Sequence, residues 1–334
     1  MTRLLASYFA ASVLVCASVP SYAQTIKLGT LAPEGSPWHQ VIRDIGESWR
    51  EISGGTVEVR IYAGGVAGDE SDMVRKMRVG QLHAAALTGE GLARIAQEVQ
   101  ALQMPMMFRS DAELNYVRDK LGSRLEEIFE ERGFVLLAWG DAGWVHFFAQ
   151  QPVVHPDDLK PMKLFTWAGH SAVVEAYKDQ GYNPVPLAST DMMMALHSGM
   201  INAFPTTPVA ALSLQWFGLA PHMTDLKWAR LVGAVVVSKR AWERIPEDLR
   251  PRLHDAARQA TDQLQARVGT LGREAVAAMQ EHGLSVHAVP EETVPAWENV
   301  ARAGYGRLIG AIVPADMVAE VERLRDEYRA AAAM

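Results

Sequence analysis

Residues 158–208, DLKPMKLFTWAGHSAVVEAYKDQGYNPVPLASTDMMMALHSGMINAFPTTP, decide how the rest of the chain is read. Pro156-Asp157-Asp158 reads as a turn, 162–167 as a mostly apolar strand and 171–180 as a helix. The same alternation runs outward in both directions. Toward the N-terminus, strands are expected at 134–139 and 144–149, preceded by a helix over 111–131 and the small-residue strand 84–88. Further back, 25–31 is an apolar strand. Ser36-Pro37 then supplies an N-cap with proline at the first helical position, and Trp38, Val41, Ile42, Ile45, Trp49 and Ile52 recur at helical spacing. Ser53-Gly54-Gly55 ends that helix before a strand at 57–62, and a helix over 69–79 follows. Strands alternating with helices imply a mainly parallel α/β sheet with helices on both faces, whose ligands lie beyond the carboxyl ends of the strands. Toward the C-terminus, 247–282 is almost entirely helix-favouring. At 1.5 Å per residue such a helix reaches roughly 50 Å, enough to brace two lobes. Gly269 and Gly272 inside it leave a kink or a two-helix reading open.

Composition narrows the class. The chain has 334 residues, a formal charge of −7 and acids and bases interspersed without long single-sign runs. Nothing in that pattern marks a nucleic-acid or anionic-membrane surface, so a small-molecule ligand is expected. Arg3, the apolar run 4–19 and Ser21-Tyr22-Ala23 form the charged, apolar and small-residue parts of a secretory signal, with cleavage expected after Ala23. The only cysteine, Cys16, lies inside that segment, and Val15 before it argues against lipidation. Disulfides and thiolate metal sites are therefore not expected in the exported protein. Beyond roughly 250 residues a chain generally divides its core, so two lobes are expected.

Five segments resemble, in order and spacing, the DctP-type periplasmic receptors of TRAP transporters: IYAGGVAG at 61–68, MPMMF at 104–108, 156–163, YKDQGYNPVP at 177–186, and 191–202. The resemblance implies a two-lobed periplasmic binding protein of type II-like α/β fold, with crossover segments at a hinge and a long helix bracing both lobes. The N-terminal residues set the signal peptide at 1–23. The first lobe would comprise 24–148 plus about 235–265, and the second 149–234 plus about 266–330.

One departure stands out in the ligand-clamping segment. Where most of that family reads Lys-hydrophobic-Arg-Val, with the arginine gripping a carboxylate, this chain reads Lys163-Leu164-Phe165-Thr166. A second family arginine falls near Val145, also aliphatic here. The Glu-Trp of a metal-using branch falls on Pro205 and Thr206, and the usual family asparagine also aligns with Thr206. Aromatic and apolar side chains remain: Trp144, Phe147, Phe165, Trp167, Met192, Met193 and Trp216. The expected ligand-binding residues are Glu34, Trp38, Gly89, Glu90, Trp144, Phe165, Trp167, Ser189 and Thr206, with no catalytic residue, metal or cofactor. Met192 and Met193 read more naturally as core.

Rival constellations are thin. Gly169-His170-Ser171 sits between a strand and a helix as a nucleophile elbow does, but Val173 stands where that motif needs glycine, so Ser171 reads as an N-cap. His146, His155, His170 and His197 lack zinc-ligand spacing and read as surface or core. Gly89-Glu90-Gly91 has Arg94 where a dinucleotide turn wants its third glycine.

The expectation is thus a non-enzymatic receptor that closes on a small, neutral or weakly polar, apolar or aromatic ligand. It would deliver that ligand to the small and large membrane subunits of a TRAP permease, with an accessory scaffold protein as a further partner. Two alternatives stay open: an organic acid held by another cation such as Arg94 or Lys163, and a sensor-input role.

Overall fold

The computed structural model describes residues 23–332, so the signal segment, Cys16 included, lies outside the described residues apart from Ala23. In chain order the strands are β1 (Gln24–Thr30), β2 (Val57–Tyr62), β3 (Ala84–Thr88), β4 (Phe134–Trp139), β5 (Gly143–Ala149), β6 (Lys163–Trp167), β7 (Asn183–Leu187), β8 (Ala203–Thr206), β9 (His222–Asp225), β10 (Ala229–Leu231), β11 (Gly233–Ser238) and β12 (Ser285–Ala288). The helices are α1 (Pro37–Ile52), α2 (Glu70–Arg78), α3 (Gly89–Ala93), α4 (Asp111–Glu131), α5 (Ser171–Asp179), α6 (Met192–His197), α7 (Pro208–Ser213), α8 (Lys239–Trp242), α9 (Arg250–Gln265), α10 (Val268–Glu281), α11 (Val294–Leu308) and α12 (Ala315–Ala332).

They form two sheets. The first runs β2-β1-β3-β11-β4 and the second β12-β9-β5-β8-β6-β7, with β10 added to β5. Each is parallel except for one strand: β11 runs against β3 and β4, and β5 runs against β8, β9 and β10. These two reversed strands are the ones that enter from the other lobe. The chain leaves β4 through 140–142 into β5, and returns from β10 through Val232 into β11. Arriving at the crossing end, each must run opposite to its neighbours.

Local sequence explains the layers. Along β11, Val235 and Val237 enter a core with α1 and α9, whereas Ala234 and Val236 enter one with α2, α4 and α12. An unbroken apolar strand is what a sheet covered on both faces requires. In α1, Ser36 caps by accepting from the His39 amide, and Val41, Ile42, Ile45 and Trp49 form the buried stripe. Trp49 Nε1 donates to Leu253 O at 2.8 Å, tying α1 to α9. Gly54 and Gly55, at φ +60° and +83°, make the left-handed exit that the sequence assigned to them.

Three expectations change. The helix-favouring stretch 247–282 is two helices, parted at Ala266 and Arg267, where the Arg267 amide bonds Leu264 O at 2.9 Å. The break avoids both glycines and falls where the chain changes lobes: α9 packs on α1 and β4, α10 on α7 and β5. The crossing into the second lobe comes before β5, not near Ala149, because β5 pairs with β8 and β9. Finally, α12 packs on α4 through Met317, Val318, Val321 and Leu324, so the end of the stretch assigned to the second lobe covers the first.

The crossings share one buried knot. Asp141, fully buried, accepts from Arg118 Nη1 at 2.8 Å and from Gln265 Nε2 at 3.1 Å, and lies 3.6 Å from Arg230 Nε. These residues come from the first crossing, α4, the end of α9 and β10. Buried charges this close must be retained together, since removing one partner strands the others.

Candidate functional site

Two cavities meet between the lobes. The larger, about 350 Å³, lies at the carboxyl ends of strands from both sheets: Thr30 of β1, Thr88 of β3, Trp167 of β6 and Thr206 of β8 all border it. That is where a parallel sheet leaves strand-end amides and loops free for a ligand. The smaller, about 160 Å³, is walled by α5 and α11, among them Val173, Tyr177, Gly304 and Leu308. Trp167, Thr206 and Leu231 border both. We call them the strand-end and the helix-walled cavity.

Of the nine expected ligand-binding residues, Trp38 and Ser189 line the strand-end cavity, Glu90 and Phe165 the helix-walled one, and Trp167 and Thr206 both. Trp38 packs its ring on the Gly140 backbone, where an added Cβ would come within 2.1 Å. Phe165 is completely buried and meets Trp167 edge-on at 4.9 Å between centroids, so it is as much core as wall. Three expected residues lie elsewhere. Glu34 is an exposed turn residue. Gly89 is buried behind the wall, its amide bonded to Val232 O and its Cα facing Gln103. Trp144 is held between Lys227 and Arg230, its centroid 5.0 and 5.5 Å from their cationic groups, on the face of β5 away from both cavities. Strand alternation explains this: Val145, one residue on, faces the helix-walled cavity.

The charge of the walls is unusual for an anion site. Among the described residues no lysine or arginine lines either cavity. The alternative cations are engaged outside: Lys163 Nζ donates to Gly199 O at 2.7 Å, and Arg94 Nη2 to Ala168 O at 3.1 Å. The acids present are Glu70 and Glu90. Glu70 is 4% exposed, and burial pushes its carboxyl up to about 7 against three donors at 2.7 Å, the Thr88 and Gly91 amides and the Thr88 hydroxyl. Sequence reading missed Glu70 because 69–72 looks like an ordinary acidic helix start; its return to β3 is a tertiary contact. It also missed His170, which is buried, caps α5 without a side-chain bond and lines the helix-walled cavity. Ser171, expected as the N-cap, is the first helical residue and exposed.

Several bonds join the lobes beside the cavities. Ser189 Oγ donates to Asp69 Oδ1 at 2.8 Å, Arg94 reaches Ala168 O, and Glu90 Oε2 lies 2.8 Å from His170 Nε2. The two sheets are therefore closed upon one another around the cavities.

The family model for bacterial extracellular solute-binding protein, family 7 (DctP) matches residues 28–309. The chain belongs to the DctP family. DctP members are periplasmic or extracellular solute receptors that pass a small ligand to TRAP membrane subunits, and they are not enzymes. The C4-dicarboxylate-binding periplasmic protein DctP of Rhodobacter capsulatus is 25% identical over 306 residues, covering 89% of this chain and 91% of that one. The 2,3-diketo-L-gulonate-binding periplasmic protein YiaO of Escherichia coli is 22% identical, covering 79% and 81%. Among solved folds, a TRAP solute-binding protein of Ralstonia eutropha with bound (S)-2-acetolactate superposes with a TM-score of 0.84 at 22% identity, covering 92% of this chain and all of that one. One from Xanthobacter autotrophicus with bound β-D-galacturonate gives 0.83 at 16%, covering 90% and 99%.

Proposed function

We propose that this DctP-family chain is the solute receptor of a TRAP-type transporter whose ligand has a substantial apolar or aromatic body, held between the lobes without an arginine clamp. The observation that carries this is the composition of the walls: tryptophan, phenylalanine, aliphatic and threonine side chains, two acids, and no guanidinium or ammonium. Apolar surface taken from water contributes about 25 cal/mol per Å², and the rings add face and edge contacts. Glu90 opposes a dianion, because among the described residues no lysine or arginine lines the cavities to offset it. The ligand stabilises the closed form by binding it better than the open one, and the permease then meets the closed shape.

A second reading concerns only the polar end of the ligand. Solved relatives with bound galacturonate, succinate, acetolactate, glucuronate and orotic acid all hold acids, which favours a carboxylate on the apolar body over a wholly neutral solute.

Native mass spectrometry of the protein isolated from its own periplasm tests the main reading, together with thermal denaturation against a series of solutes graded in apolar area. The expected result is a retained small molecule rich in carbon and a Tm that rises with apolar area. Stabilisation by succinate and galacturonate, with none from the apolar series, would overturn it.

A further inference from the structure

We propose that the thioethers of Met194 and Met200 and Nε2 of His197, at the exposed C-terminal end of α6, form a binding site for a soft monovalent cation, Cu(I) or its analogue Ag(I). None of the three residues lines either cavity, so the site is separate from the solute and does not depend on what the solute is.

Three observations bring the ligands together. Among the described residues the exposed large apolar side chains are Val66, Val79, Met194 and Met200, with Met194 69% and Met200 51% exposed. Two of the four are thus methionines at one helix end, whereas Met73, Met77 and Met192 are buried in cores. Next, α6 ends in a Schellman turn: the Met200 amide donates to Ala195 O at 2.9 Å and the Gly199 amide to Leu196 O at 3.2 Å, with Gly199 at φ +68°. Such a turn carries residue 200 back against the last helical turn, on the side of residues 194 and 195. His197 lies three residues after Met194, on the same face of the helix. Finally, His197 Nδ1 is 2.9 Å from Met193 O. A carbonyl accepts and cannot donate, so Nδ1 carries the proton and Nε2 keeps its lone pair. A backbone carbonyl holding one ring nitrogen in this way is what orients the other nitrogen of a metal-ligating histidine.

Ligand chemistry names the cation. Zinc-ligand spacing is absent around His197, but thioether sulfur with imidazole suits Cu(I). Hard ions such as Ca²⁺ and Mg²⁺ need oxygen, and no carboxylate belongs to this set. All three ligands are neutral, and a neighbouring charge is the Lys163 ammonium, which donates to Gly199 O at 2.7 Å. A positive neighbour disfavours a second charge on the ion, so a monovalent one is held best. Methionine is unbranched with three rotatable bonds, so the two thioethers can close on an ion without moving the backbone.

The test uses the full exported protein with Cu(I) under ascorbate, bicinchoninate as competing chelator, and Ag(I) by calorimetry. The protein should withdraw one equivalent of Cu(I) from the chelator, and an equal concentration of Zn²⁺ or Ca²⁺ should not displace it. X-ray absorption at the copper edge should show two sulfur neighbours and one nitrogen. Met194→Leu, Met200→Leu and His197→Gln should each weaken Cu(I) about tenfold or more, since losing even a partner behind the ligands costs a metal site that much. All three side chains are exposed, so the variants should fold as the wild type does. The site is refuted if the chelator keeps the copper or if the spectrum shows nitrogen and oxygen neighbours alone. It is refuted equally if the Met194→Leu/Met200→Leu double variant or His197→Gln binds Cu(I) as the wild type does, which would assign the metal to other methionines.

Discussion

Glu70 shows how much one side chain's meaning depends on its surroundings. In sequence it is an acid in the first turn of a helix; in the fold it is buried at the cavity wall, its oxygens turned to Thr88 and Gly91. Burial raises its carboxyl from 4.5 to about 7. The folded protein therefore holds this proton more tightly than the unfolded chain. The resulting stability is fully present below 4.5 and is lost as pH rises through about 7, an effect on the order of 3 kcal/mol. Glu70→Gln lacks the titration. Urea denaturation of both proteins between pH 4.5 and 8 should show the wild type losing that amount relative to the variant, and a difference constant with pH would rule the burial effect out.

At the level of elements, the closest approach of backbone to a glycine is where the two crossing segments run past each other. A Cβ on Gly233, the first residue of β11, would stand 2.6 Å from Gly140 O and 3.1 Å from Leu87 O. Both are backbone atoms in sheet or crossing, so they cannot swing aside. Gly233→Ala should cost about 1–3 kcal/mol or more by overpacking. Gly272, inside α10 with open space around it, is the contrast: Gly272→Ala should stabilise by about 0.5–1 kcal/mol through helix propensity. Paired urea curves check both. A Gly233→Ala protein as stable as wild type would mean the crossings can separate freely. The Ala266–Arg267 break belongs to this scale too. It lies beside Gln265, whose amide holds Asp141, so the helix parts where it is fastened to the other crossings.

For the whole molecule, closure is the property that matters to a receptor. The Asp69–Ser189 bond joins the lobes at the cavity mouth, and Asp69 also caps α2, so only the serine can be removed without harming a helix. Ser189→Ala deletes a charge-assisted bond that exists only in the closed arrangement. Its loss should shift the equilibrium toward open forms by about 1 kcal/mol, near fivefold in population. Small-angle scattering should record a larger radius of gyration without ligand, and the affinity for any bound solute should fall severalfold. Unchanged dimensions and affinity would show that the Asp69–Ser189 bond does not set closure.

What the sequence determined by itself was local in cause. Apolar periodicity, the Ser36-Pro37 cap and the Ser53-Gly54-Gly55 exit place strands and helices because each depends on neighbours a few residues away. That position 165 on β6 carries an aromatic side chain and no charge was legible for the same reason. The tertiary structure alone decided that Trp144 turns from the cavities, that α12 covers the first lobe, that the long helix breaks between lobes, and that Glu70 and His170 reach the walls. Each outcome depends on which face of an element meets another element distant in the chain, and on how much water that meeting excludes.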